Sequence, residues 1–119
     1  GEVKYSIVHI SERTKAAGLL ELKKARVRWF LSLDKDDLPA ERKENNPKAY
    51  RSVTIDGKEI EFSDGFEDLH TKSYRNILDG QGFTMKDALP AIEIVSTIRH
   101  ANPIGLRGDY HPLLKQSKR

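Results

Sequence analysis

"YRSVTIDGKEIEFSDGFEDLHTKSYRNIL", residues 50–78, changes its period halfway along. Through "YRSVTI" and "EIEF" apolar and polar residues alternate, the spacing of a strand with one face turned inward. Asp56-Gly57-Lys58 joins the two runs, and because glycine reaches positive φ without a Cβ clash, the join predicts a hairpin. From Phe66 the period lengthens to four. Phe66, His70, Tyr74 and Leu78 recur along one side, flanked by Leu69 and Ile77, which predicts one helical face. Gly80 then ends the helix, since glycine accepts the left-handed conformation at a C-terminus.

Upstream the two-residue period continues. "EVKYSIVHIS" sets Val3, Tyr5 and Ile7 against Lys4, Ser6 and Val8 and reads as a strand. "AAGLLELKKA" places Leu20 and Leu22 opposite Leu19, Glu21 and Lys23; Gly18 weakens a helix here, although leucine and lysine favour one. "RVRWFLSL" alternates most clearly: Val27, Trp29, Leu31 and Leu33 face one way, and Arg28, Phe30 and Ser32 the other. Residues 34–48 are polar with two prolines and read as a loop or insertion.

Downstream, Thr84 and Asp87 have the spacing of a capping box, ahead of a second helix from about Met85 to Ala101. Its buried stripe is expected at Leu89, Ile92 and Val95 or Ile98, with Pro90 bending its early turns. Pro103, Gly105 and Gly108 then break the pattern, which predicts an irregular tail. Strands followed by helices give an α+β fold: a mainly antiparallel open sheet with two helices packed on one face. The other face, partly apolar through Trp29 and Leu31, is left available for oligomerisation.

The 119 residues suit one domain with a modest core. Apolar residues make up 37% and charged residues 33%, a polar balance consistent with a sheet that buries one face more than the other. There is no cysteine, which excludes disulfides, thiolate metal sites and cysteine nucleophiles and fits a reducing compartment. The first ten residues alternate and do not read as a signal peptide, and no apolar run approaches the ~20 residues that span a bilayer. A cytoplasmic protein with no membrane partner is therefore expected. The net charge of +3 is small, and the tail "KQSKR" reads as a solvated end. Nucleic acid is not expected as a partner: Arg26, Arg28, Trp29 and Phe30 are the only basic-aromatic cluster, and strand alternation splits them between faces.

No phosphate-binding loop is present. "GQGF" at 80–83 lacks the third glycine and lies between helices, so it reads as a turn. His9, His70, His100 and His111 have no metal-site spacing. His9 ends a strand, where a solvated or interface histidine is expected, and His100 suits a helix C-terminus. The one candidate constellation is on the first helix, where His70 and Tyr74 are one turn apart and able to reach a cleft margin as substrate-binding residues. Glu67 and Asp68 would cap backbone N–H groups, and Phe66 and Leu78 would anchor the helix on the sheet. In the simpler alternative the acids favour the helix dipole and the histidine packs on the sheet.

Three long stretches, "AAGLLELKKARVRWFLSLDKDDLP", "YRSVTIDGKEIEFSDGFEDLHTKSY" and "ILDGQGFTMKDALPAIEIVSTIR", together with the closing "DYHPLLK", resemble the glucose-fructose oxidoreductase (Gfo/Idh/MocA) family. The similarity is to the branch that oxidises the 3-hydroxyl of a UDP-linked N-acetylglucosaminuronic acid for lipopolysaccharide or surface-polysaccharide synthesis. It covers nearly the whole chain. It implies that residues 1–119 are a C-terminal substrate and oligomerisation domain. A Rossmann domain for NAD, a lysine in an E-K-P motif and a catalytic histidine would all lie upstream. It also implies a UDP-sugar substrate and a homo-oligomer, dimer or tetramer, joined through the open sheet face. No catalytic residue, metal ligand or NAD-binding residue is then expected within the chain, and the chain alone should be inactive. Asp64-Gly65-Phe66-Glu67 departs from the family, whose members often carry a second glycine and a threonine in this turn. The alternative is a free-standing binding or assembly module without chemistry of its own.

Overall fold

The computed structural model describes residues 2–43, 49–63 and 67–115. They fall into two compact units: residues 1–37 with 89–119, and residues 38–88.

The first unit is built on three antiparallel strands in the order β1 (Val3–Ser11), β2 (Lys15–Leu22) and β3 (Arg26–Ser32). Tight turns join them, closed by Glu12 N–H to the Lys15 carbonyl and Leu22 N–H to the Ala25 carbonyl. β2 carries few residues with a preference for strands. It is held by its place between two partners, which is how tertiary context overrides weak propensity. Register decides its two sides. Lys15, Ala17, Leu19 and Glu21 pair with Ser32, Phe30, Arg28 and Arg26 on one face; Ala16, Gly18 and Leu20 pair with Leu31, Trp29 and Val27 on the other. The alternation predicted for β3 is therefore the one observed.

The core is small and lies against this sheet: Val8, Ala17, Leu19, Leu114 and the histidine His9 are buried. Leu114 belongs to a short 3-10 turn, Pro112–Lys115, at the end of the segment expected to be an irregular tail. That segment has little regular structure, but it is a strap tied to the sheet. Ile104 and Gly105 N–H groups donate to the carbonyls of Val8 and His9, where β1 changes register. Asp109 meets Arg26 and Arg28 at 3.3 Å each, and the His111 ring stacks on Phe30. These partners place the strap on the Ala17–Leu19 face. Burying Leu114 contributes about 1.5–3 kcal/mol.

In the second unit β4 (Ser52–Ile55) and β5 (Lys58–Glu61) form the hairpin expected from Asp56-Gly57, with both turn residues at positive φ (49° and 82°). The segment expected to be a loop holds a 3-10 turn, Lys35–Asp37, and a single helical turn, α1 (Ala40–Lys43). The turn is fixed to the sheet of the first unit because Asp37 accepts from Lys15 Nζ at 2.8 Å and from Ser32 Oγ at 2.6 Å.

α2 spans Leu69–Leu78. Gly80 ends it at φ 72°, with Gly80 N–H on the Ile77 carbonyl and Gln81 N–H on the Asn76 carbonyl, a Schellman closure. Its start differs from expectation. Asp68 sits in the left-handed region at φ 58° and its side chain caps nothing. The left-handed backbone turns the carboxylate away from the N–H groups it would otherwise accept from. α3 spans Met85–His100, and the Asp87 carboxylate accepts from Thr84 N–H at 2.7 Å, the reciprocal half of the predicted box.

The α+β class with open antiparallel sheets stands. Two details are corrected: the strands form a three-stranded sheet and a separate hairpin, and neither long helix buries a residue. Leu89, Ile92 and Val95, expected to form a buried stripe, are more than half exposed, and Leu78, expected to anchor α2, is almost fully exposed. Helical period reports that a stripe can be buried; it does not supply the surface that buries it. Phe66 lies outside the described residues.

Candidate functional site

His70 and Tyr74 lie one turn apart on α2, as the spacing requires, and both side chains are exposed, Tyr74 by 69%. Neither packs into a core, which removes the simpler alternative in which the histidine is a sheet-packed residue. An imidazole and a phenol on one exposed helix face can donate to oxygen atoms of a polar ligand. The acidic pair before them does not cap the helix. Glu67 and Asp68 are exposed beside the same turn.

The other histidines have structural settings. His9 is 1% exposed, against the expectation of a solvated or interface residue. Its Nε2 lies 3.0 Å from the Arg107 carbonyl and therefore carries the proton, since a carbonyl only accepts. The ring meets Tyr110 edge-on, so the strap, invisible to strand period, is what covers it. His100 ends α3 and its Nδ1 donates to the Ser96 carbonyl at 2.8 Å, in keeping with its predicted place. His111, on Phe30, is held below the usual histidine range by burial and then by the Arg28 charge. Leu113 N–H donates to its Nδ1 at 3.2 Å, so that nitrogen is unprotonated. Among the described residues no group of His, Cys, Asp or Glu is arranged to hold a metal.

Two polar networks were not foreseen. On the hairpin's polar side Tyr50 donates to Glu59, which raises the Tyr50 pKa and lowers that of Glu59. Arg42 pairs with Glu61 and lies over the Tyr50 ring. In the first unit Arg26, Arg28 and Asp109 join strand to strap. A signal for the second was present: two arginines on one face of β3 call for a carboxylate partner, and Asp109 stands among turn-forming glycines shortly before an apolar pair. The described glycines at positive φ, Gly57, Gly80, Gly105 and Gly108, each serve a separate turn. They do not combine into a loop that could cradle a dinucleotide.

No protein-family model matches the chain. Among solved structures it is similar to the WlbA (WbpB) dehydrogenase from Thermus thermophilus in complex with NAD and α-ketoglutarate. The identity is 41% with a TM-score of 0.88, over 94% of this chain and 37% of that one. It is likewise similar to the same dehydrogenase in complex with NAD and UDP-GlcNAcA, at 39% identity and a TM-score of 0.87, over 94% of this chain and 36% of that one. The chain thus spans little more than a third of the length of these relatives.

Proposed function

We infer that the chain, similar at 41% identity to 37% of a solved WlbA (WbpB) dehydrogenase, is the C-terminal, substrate-facing and subunit-joining domain of an NAD-dependent sugar-nucleotide dehydrogenase. The observation that carries this reading is the combination of that identity with a TM-score of 0.88 over nearly the whole chain. The substrate is a UDP-linked N-acetylglucosaminuronic acid, oxidised at its 3-hydroxyl in the synthesis of a surface polysaccharide. The relative solved with NAD and UDP-GlcNAcA supports this. A cytoplasmic location follows from a soluble sugar-nucleotide substrate. No helix among the described residues is long and apolar enough to cross a membrane.

Oxidising a secondary hydroxyl removes a proton and a hydride equivalent, so the reaction needs a base and an acceptor. The residues present do not fit NAD: there is no G-x-G-x-x-G, no E-K-P lysine, and the positive-φ glycines are dispersed. Acceptor and base therefore belong to polypeptide outside residues 1–119. This chain's part is to present His70 and Tyr74 to oxygen atoms of the substrate. It also joins subunits through the row Val27, Trp29 and Leu31, of which Leu31 is 67% exposed.

The test is an assay of the native polypeptide carrying residues 1–119, with UDP-GlcNAcA and NAD, read as NADH absorbance. Turnover is expected. The 119-residue chain alone should show neither turnover nor NAD binding by calorimetry. A native polypeptide that forms no NADH from UDP-GlcNAcA, or micromolar NAD binding by residues 1–119 alone, would overturn the reading.

A further inference from the structure

In residues 38–88 no described residue is buried. The unit nonetheless has two well-formed apolar surfaces. Register places Val53 and Ile55 with Ile60 and, two residues on, Phe62 on one side of the hairpin; these four are 40 to 54% exposed. The other side carries Ser52, Thr54, Glu59 and Glu61, and its carboxylates are engaged by Tyr50 and Arg42. At the corner between α2 and α3, Leu78, Phe83 and Met85 are 85 to 90% exposed. A lone two-stranded ribbon and a ten-residue helix are each marginal in water, so both surfaces need a cover.

The amount of surface says what kind of cover. The chain exposes 10264 Å². A folded monomer of 13.6 kDa exposes about 6,600 Å², leaving roughly 3,700 Å² in excess. Contact with another domain of the same polypeptide hides roughly 300–750 Å² on each side. Obligate subunit contacts hide about 1,000–2,500 Å² on each side, so the excess is on the scale of subunit assembly.

We propose that the apolar side of the β4–β5 hairpin seats on the α2–α3 corner of a second copy of this chain, reciprocally about a two-fold axis. Hairpin on hairpin is the poorer match. Arg51 and Lys58 lie on the same side as Val53 and Ile60, and a two-fold would bring these cations together. The corner instead offers the Asp79 carboxylate beside Leu78, Phe83 and Met85. This interface is separate from the Val27–Leu31 row and does not depend on the dehydrogenase reading.

Cross-linking of the native polypeptide tests it. Copies carrying Ile60→Cys and copies carrying Met85→Cys are mixed and mildly oxidised. The mixture should yield a covalent dimer at least tenfold above either variant alone. Sedimentation should show that Lys58→Glu weakens association about tenfold and that adding Asp79→Lys restores it; both positions are exposed, so folding is not at issue. A monomeric wild-type protein would overturn the proposal. So would a mixture that cross-links no better than its components, or hairpin amides protected from exchange in a monomer, which would show the rest of the polypeptide to be the cover.

Discussion

The indole of Trp29 lies directly across Gly18. A Cβ built on that glycine would stand 2.5 Å from Trp29 Cζ2 and 2.2 Å from the Ile7 carbonyl oxygen, closer than real Cβ atoms approach either. The two residues are cross-strand partners in the central pairing of the sheet. The glycine that weakened a helix reading thus has a positive role: it lets the largest side chain of β3 lie flat over β2. Gly18→Ala should destabilise by about 1–3 kcal/mol, the usual cost of overpacking. Chemical denaturation measures it. Trp29→Phe in the same background should recover only part of the loss, because the Ile7 carbonyl remains. Wild-type stability in Gly18→Ala would mean that the indole moves aside freely.

The strap gives a second expectation. Leu114 is 1% exposed although it stands near the end of the described residues. Leu114→Ala should cost about 2–5 kcal/mol, the range for a fully buried leucine. Hydrogen exchange should localise the effect. The Ile104 and Gly105 amides, bonded to Val8 and His9, should lose protection along with β1, since strap and sheet share one small core. A change confined to Pro112–Lys115 would show that the turn is an appendage.

His111 makes stability depend on pH. Burial against Phe30, with Arg28 nearby, lowers its folded pKa, whereas the unfolded chain keeps the ordinary value near ~6.5. Below that value the unfolded state binds more protons than the folded one, so stability falls as pH falls. Its contribution is undiminished above about pH 6.5 and is lost as pH drops through the folded pKa. Melting temperatures between pH 8 and pH 5 should decline, and His111→Gln should flatten that decline. An equal slope in the variant would assign the acid sensitivity elsewhere.

Period and turn chemistry made the strands, the hairpin, both long helices and their boundaries near Gly80 and Thr84 legible, because each is decided by residues close in sequence. The strap was not legible. Its contacts, His9 with Arg107 and Arg26 with Asp109, join residues 98 and 83 positions apart, and no local pattern encodes them. The exposed helix stripes were misread for a related reason. Leu89, Ile92 and Val95 follow a core-facing period, yet their cover lies outside the described chain. The candidate pair His70 and Tyr74 was placed by spacing alone and stays together, while the capping expected of Asp68 failed because a single backbone angle is not written in composition.

The exposure of that pair shapes the last prediction. Since neither residue holds up a core, His70→Ala and Tyr74→Phe should change stability by no more than about 0.5 kcal/mol, as surface substitutions do. Function should respond differently. A UDP-sugar acid bears phosphates and a carboxylate, and one hydrogen bond to a charged group is worth about 1.5 kcal/mol or more. Losing it should lower kcat/KM of the native polypeptide for UDP-GlcNAcA by about tenfold. The effect should appear chiefly in KM, because the contact is to the bound substrate and not to the reacting centre. His70→Gln, which keeps a donor, should recover part of the loss. A fall in melting temperature with unchanged kinetics would return His70 to a structural role; unchanged kinetics and stability together would remove α2 from the substrate cleft.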